Sequence, residues 1–313
     1  MNNSLLSCVI PARNEARALP AVIEQVAQTL SAVGQRFEIV IVDDGSSDDT
    51  VAVMKALQSR QPVVLVELSR NFGKEAALMA GLAHARGDAI VMLDADGQHP
   101  VAMLPEMLQH WRQGAEQVVA VQSERVNTTL SYKLSVQLFY KLINRGARFE
   151  LPAHAGDFRL LDRKVVDTLL ALPERTRFMK GLYAWAGFRT VLLPYQPDPR
   201  IAGTSQFTSS SLRRLALDGL TSFSDLPLRA MSWLGFGFAL FAVAMTVWFV
   251  VEYYVVGVDV PGWTTVVVLV SLLSGIQLVC LGILGAYVSR IFQESKQRPL
   301  YVVREVARPV DEL

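Results

Sequence analysis

The chain has 313 residues, 51% of them hydrophobic and 19% charged, with 30 Lys and Arg against 29 Asp and Glu for a formal charge of +1. That balance, with no long basic run, gives no reason to expect nucleic acid as a partner. The length suits two units, and the hydrophobicity is uneven: residues up to about 225 read as an α/β domain, and the apolar excess follows them.

In chain order, Leu6 to Ile10 is an apolar run that enters Pro11-Ala12-Arg13-Asn14-Glu15, and apolar residues at helical spacing come next (Leu19, Val22, Ile23, Val26, Leu30). Glu38 to Val42 ends at Asp43-Asp44-Gly45-Ser46-Ser47-Asp48-Asp49-Thr50, again before a helical pattern (Val51, Met54, Leu57). Val63 to Val66 leads through Ser69-Arg70-Asn71-Phe72-Gly73-Lys74 into an apolar helix. Ala89 to Leu93 stops abruptly at Asp94-Ala95-Asp96, with Gly97-Gln98-His99-Pro100 after it. Four such alternations with polar loops on one side predict an α/β fold with a mostly parallel, doubly wound sheet.

Open sheets of this kind bind ligands at the carboxyl ends of their strands. Asp94, Asp96 and Gln98 put two carboxylates and an amide oxygen within five residues, a hard oxygen site suited to Mg²⁺ or Mn²⁺ holding a diphosphate. The same residues also read as an ordinary polar loop at a strand end. In the same way Ser46 to Thr50 doubles as a helix N-cap cluster, and Lys74 as a solvated lysine. A Rossmann dinucleotide site is excluded: it needs Gly-x-Gly-x-x-Gly after the first strand, where this chain has Pro11 to Glu15.

Farther on, Met231 to Val251 and Thr264 to Val288 are apolar runs of more than about 20 residues, each able to cross roughly 30 Å of hydrocarbon as a helix. Arg213, Arg214 and Arg229 precede the first, and Arg290, Lys296 and Arg298 follow the second. The connection from Gly257 to Trp263 has Asp259 and no Lys or Arg, so both ends are expected in the cytoplasm. Glu252-Tyr253-Tyr254 and Trp263 would then sit at the far interface. Leu212, Leu215, Ala216, Leu220 and Phe223 share one helical face, with Arg213, Arg214 and Asp218 off it. This reads as an interfacial helix or an ordinary domain helix, and the nearby apolar run favours the interface. The N-terminus enters the first strand directly, so no signal peptide is expected. Cys8 and Cys280 fall in a strand and in the second apolar run, and no disulfide is expected.

The strand-end loops resemble the inverting family 2 glycosyltransferases, which have the nucleotide-sugar-binding GT-A fold. Leu138-Phe139-Tyr140-Lys141-Leu142-Ile143-Asn144, Gly156-Asp157-Phe158-Arg159-Leu160, Leu172-Pro173-Glu174-Arg175, Phe178-Met179-Lys180-Gly181 and Ile201-Ala202-Gly203-Thr204-Ser205 narrow the likeness to polyprenyl-phosphate glycosyltransferases. Leu220 to Ser224 and Arg298-Pro299-Leu300-Tyr301 extend it over nearly the whole chain. Within that class the chain looks most like the bactoprenol (undecaprenyl-phosphate) glucosyltransferases, relatives of the dolichol-phosphate mannose synthases.

This resemblance implies a metal-dependent, inverting transfer of glucose from UDP-glucose to undecaprenyl phosphate, for O-antigen or cell-envelope glycan modification. GDP-mannose or another UDP-sugar is the alternative donor, and an inactive membrane scaffold the alternative class. It places Pro11, Ala12, Arg13, Glu15, Asp43, Asp44, Lys74, Asp94, Ala95 and Arg200 around the donor, with Glu15 and Asp44 on base and ribose. Asp94, Asp96 and Gln98 would ligate Mg²⁺ or Mn²⁺. Arg200 would neutralise the leaving diphosphate from a loop whose Gly203 suggests closure. Arg125, Lys133 and Ser205 would meet the acceptor phosphate. Asp157 joins Asp96 and Arg200 as a catalytic candidate: it orients the acceptor or a cation, acts as a base, or else only caps the helix from Arg163. His99, before Pro100 in a turn, reads as structural, and His154 merely lies near a motif.

The expected organisation is a cytoplasmic GT-A domain over 1–207, a juxtamembrane amphipathic region over 208–229, two transmembrane helices within 230–290 (about 231–254 and 264–288) and a cytoplasmic tail over 291–313. The expected setting is the bacterial inner membrane, as a homo-oligomer. A processive polysaccharide synthase is disfavoured, because Gln-x-x-Arg-Trp is missing and two helices are too few for a polymer channel. Three positions depart from the family pattern: Gln122 and Gln206 stand where a basic residue is usual, and Ala286 where Glu is common.

Overall fold

A computed structural model describes residues 4–122, 155–175, 177–196, 226–255 and 262–309 of the chain. The predicted strands appear as β1 (Leu5–Ala12), β2 (Arg36–Asp43), β3 (Val63–Leu68) and β4 (Ala89–Met92). They alternate with α1 (Leu19–Ala32), α2 (Thr50–Gln58), α3 (Lys74–His84) and, after a 3₁₀ turn at Val101–Met103, α4 (Leu104–Arg112). The second half of the domain follows as β5 (Gln117–Gln122), β6 (Ala155–Asp162), α5 (Arg163–Ala171), α6 (Met179–Trp185) and β7 (Thr190–Tyr195). Two long helices, α7 (Leu226–Val255) and α8 (Trp263–Ser295), lead to a last strand, β8 (Val303–Ala307).

All eight strands form one sheet in the order β7-β5-β6-β4-β1-β2-β3-β8. β1 pairs in parallel with β2 and β4, and β2 with β3. β6 runs antiparallel between β4 and β5, and β7 lies parallel to β5. The central strands are buried on both faces, and this is why they read as continuous apolar runs and do not alternate. One face packs Leu19, Ile23 and Leu30 of α1, Met54 of α2 and Leu104 and Met107 of α4 against Ile10, Ile39, Leu65 and Phe158. The other packs Leu78 and Leu82 of α3, Val165 and Leu169 of α5 and Tyr183 of α6 against Val9, Val40 and Met92. Contact on that second face is close: a Cβ on Gly81 of α3 would lie 2.3 Å from Val9 Cγ1.

β8 pairs antiparallel with β3. Arg304 fixes it, donating to Glu67 Oε1 at 2.6 Å and to the Ser69 carbonyl at 2.9 Å. Part of the segment read as a tail beyond the second apolar helix is thus an edge of the same sheet. The C-terminal end of α8 is tied to the domain a second time just before β8, because Glu294 accepts the Arg175 amide at 2.9 and 3.0 Å. Along α7 and α8 the large apolar side chains face outward, among them Trp233, Phe236, Leu240, Trp248, Leu278, Leu281 and Ile291. Among the described residues, Leu272–Ser295 is long and apolar enough to cross a membrane. Its 24 residues extend about 36 Å as a helix. Met231–Met245 is a shorter apolar stretch. Cys8 and Cys280 are both free thiols.

Candidate active site

The carboxyl ends of β1, β2 and β4 lie side by side, and the loops after β1 and β2 lock onto one another. Asn14 takes a left-handed conformation (φ 57). Its amide donates to Ser46 Oγ at 3.0 Å, while its side-chain oxygen accepts from the Ser47 amide at 2.8 Å. The Glu15 amide donates to Thr50 Oγ1. Asp43 is buried and accepts the Ser46 amide, which closes the turn after β2.

Asp44 reaches across to the loop after β3. Its two oxygens accept the Phe72 and Gly73 amides at 2.7 and 2.9 Å. Burial raises its pKa above the ordinary carboxylate value, against the pull of those two amides and of Arg13. Gly45 is required beside it: φ is +67, and a Cβ there would lie 2.5 Å from the Asn71 amide nitrogen. The helix-cap reading of 46–50 is partly met, since Asp48 accepts the Thr50 amide at 3.0 Å.

After β4 the chain turns through Gly97 (φ 75). Asp96 accepts the Gln98 amide at 3.0 Å. His99 folds back so that its Nδ1 accepts the Asp94 amide at 3.0 Å, which leaves the proton on Nε2 of a neutral ring. That ring stacks on Phe158 at 4.8 Å, and burial lowers its pKa in spite of Asp94. His99 is structural, as the sequence suggested, and its task is to fix the start of the acidic loop.

Lys74, the first residue of α3, links two parts of the chain that sequence alone does not join. Its ammonium lies 2.7 Å from Asp94 Oδ1 and 2.9 Å from Asp157 Oδ2. Burial by itself would lower the Lys74 pKa, but Asp157 and then Asp94 raise it well above the usual value. For Asp157 the burial effect is likewise overcome, by Lys74, Lys180 and Arg159, so this carboxyl sits below the usual range and is ionised. The reading of Asp157 as a helix cap fails: the cap of α5 is Asp162, which accepts the Lys164 amide.

The donor set is a fit for a hard divalent cation. Among the described residues there is no cluster of three or more His, Cys, Asp or Glu that would cage a metal by itself. Mg²⁺ and Mn²⁺ held by one or two carboxylates, with substrate phosphates completing the shell, need no such cage. A cation already stands on Asp94 in the form of Lys74. Arg125, Lys133, His154, Arg200, Ser205 and Gln206 lie outside the described residues.

Residues 7–170 match glycosyl transferase family 2. The uncharacterized glycosyltransferase sll0501 of Synechocystis sp. is 40% identical over 302 residues, covering 96% of this chain and 95% of that protein. The chain belongs to glycosyl transferase family 2. The bactoprenol glucosyl transferase of Shigella phage SfV is 38% identical over 300 residues, 96% of this chain and 98% of its own. A prophage bactoprenol glucosyl transferase homolog of Escherichia coli K12 is 37% identical over 304 residues, 97% of this chain and 99% of its own. The likeness to bactoprenol glucosyl transferases therefore holds over nearly the full length, and the sheet is the GT-A arrangement expected of a glycosyltransferase.

Three further residues of this family 2 site were not singled out as site residues from the sequence. Arg159 shares a face of β6 with Asp157, is buried, and stacks its guanidinium 3.8 Å above the Tyr183 ring. It donates to the Gly156 carbonyl at 2.6 Å. Glu75 accepts the Met179 amide at 3.1 Å, and burial pushes its pKa up to about 7. Lys180, half-buried at the start of α6, lies near enough to help keep Asp157 ionised. Arg159 and Lys180 stand in quoted motifs, but nothing in the motifs says that they converge on Asp157.

Proposed function

We propose that this glycosyltransferase moves glucose from UDP-glucose to undecaprenyl phosphate at the cytoplasmic face of a bacterial inner membrane, giving a lipid-phosphate sugar for envelope glycan modification. The observation that carries this reading is the full-length similarity to bactoprenol glucosyl transferases. The outward apolar surfaces of α7 and α8 support a membrane hairpin, and the Lys and Arg bias at its two ends supports a cytoplasmic catalytic domain.

The acceptor is a phosphate monoester whose second pKa is about 6, so it is largely dianionic at neutral pH. One of its oxygens attacks the anomeric carbon. The bond from that carbon to the UDP β-phosphate oxygen breaks, and UDP leaves with the electron pair. No proton has to move, and in-line displacement inverts an α-linked donor to a β-linked product. Mg²⁺ or Mn²⁺, when bound, supplies charge to the departing diphosphate. Asp94, Asp96 and Gln98 would hold that ion. Glu15 and Asp44, on interlocked loops, frame the nucleoside side. Lys74 and Arg200 add cationic charge to the diphosphate, and Arg125, Lys133 and Ser205 position the acceptor phosphate. Asp157, ionised beside Lys74, is assigned to the orientation of the acceptor.

The test is an assay of purified protein in lipid nanodiscs with undecaprenyl phosphate and a panel of radiolabelled nucleotide sugars. Labelled lipid is expected with UDP-glucose and a divalent ion. Labelling with GDP-mannose alone would overturn the donor, and labelling with no sugar would overturn the reading.

A further inference from the structure

The bridge from Lys74 to both Asp94 and Asp157 occupies a carboxylate that the proposed function needs for the divalent cation. Asp94 Oδ1 is 2.7 Å from the ammonium. Its Oδ2 lies 3.8 Å from His99 Nε2, beyond hydrogen-bond reach. The ammonium is therefore the strong partner of this carboxylate. A divalent ion bound to an oxygen sits about 2.0–2.2 Å from it, so ion and ammonium on the same carboxylate would repel at close range. They therefore compete for it. The same lysine holds Asp157 at 2.9 Å, and it does so from the first turn of α3, on a flexible four-carbon stem that is partly exposed.

We infer that Lys74 is a positioning residue that stands in for the metal in the donor-free enzyme: loading of the cation with the nucleotide diphosphate drives its ammonium off Asp94 onto the diphosphate, and this frees Asp157 for the acceptor side. The site then needs no divalent ion to keep its carboxylates from repelling one another at rest. Asp157 stays masked until a donor is present, which orders the reaction donor first. The inference rests on the proposed metal site at Asp94 and Asp96.

Mn²⁺ binding, read by electron paramagnetic resonance on the full-length protein in detergent, tests it without any turnover. If Lys74 covers Asp94 for nine-tenths of the time or more, the apparent Mn²⁺ affinity without nucleotide is reduced about tenfold. Lys74→Met and Lys74→Gln should each tighten Mn²⁺ binding by about that factor when UDP is absent. With UDP present the order should reverse, because the variants lack a cation for the diphosphate. Damage to the fold would weaken binding in both conditions and cannot imitate this pattern. Asp157→Asn should also tighten Mn²⁺ binding in the wild-type background and have no effect in the Lys74→Met background, a coupling expected only if the two act through one ion pair. Unchanged or weaker Mn²⁺ binding by both lysine variants without UDP, with the wild type taking up Mn²⁺ and UDP normally, would overturn the inference and leave the metal site standing. No Mn²⁺ uptake by the wild type at any UDP concentration would overturn both.

Discussion

Asp96 and Asp94 leave the same strand end but stand in different surroundings, since Asp94 is paired with Lys74 and Asp96 braces the Gln98 amide. Under the proposed function both ligate the metal, and an amide at either position lacks the charge to do so. Asp96→Asn should therefore abolish lipid labelling while the circular dichroism spectrum stays that of the wild type; activity within about threefold of wild type would remove the metal assignment. Gly45 offers a test of the loop that holds Asp44. Gly45→Ala forces a left-handed residue against the Asn71 amide, at a cost of about 2 kcal/mol or more. It also pries Asp44 from the Phe72 and Gly73 amides, so UDP affinity measured by calorimetry should fall with the melting temperature. Glu75 makes a pH prediction. Its folded pKa of about 7 stands above the ordinary 4.5, so the folded state binds the proton more tightly. That contribution is full below pH 4.5 and is lost as pH rises through 7. The limit is about 3 kcal/mol, less to the degree that solvent reaches the group. Glu75→Gln should raise the melting temperature at pH 8 and change it little at pH 4.5.

At the scale of elements, β8 is the least expected part of the sheet. It covers the β3 edge, which would otherwise present unpaired amides and carbonyls. Arg304 is more than half exposed, but its partner Glu67 is buried. Arg304→Ala should cost about 1 kcal/mol, mostly by leaving that carboxylate without its charge partner. Truncation after Gln297 should do far more, because it bares the edge strand and detaches α8 from one of its two anchors. The expected readout is aggregation in size-exclusion chromatography of the truncated protein, against a monodisperse Arg304→Ala variant. Elements whose period is local were readable in advance: β1 to β4 are apolar runs ending in polar loops, and α1 and α2 show clear helical spacing. β6 and β8 were not readable, because an antiparallel strand inserted between β4 and β5, or added from beyond α8, owes its place to pairing partners remote in the chain.

For the whole molecule, the C-terminal end of α8 is held twice, by Glu294 on the Arg175 amide and by the chain that continues from it into β8. Under the proposed function, a catalytic domain tied in this way to an apolar helix would stay close to the membrane that the helix enters, which suits a lipid acceptor. The orientation is open to a direct check. A cysteine placed at Asp259, in the connection outside the described residues, should react with an impermeant reagent added to intact cells, and one placed at Ser59 should not. The reverse pattern would overturn the cytoplasmic assignment of the catalytic domain.

The sequence by itself determined the α/β class, the acidic loop after β4, the polar loops at the strand ends and the two apolar helices, because each is written in residues adjacent in the chain. It also carried the family, through motifs spread from Pro11 to Tyr301. Only the tertiary structure decided what Lys74 touches, that Arg159 and Lys180 turn toward Asp157, that His99 braces Asp94 and not a ligand, and that Glu75 is buried enough to titrate near neutrality. Those facts depend on desolvation and on charge pairs a few ångströms long between segments far apart in sequence. No local pattern encodes such distances; they exist only once β4, β6 and α3 are packed together.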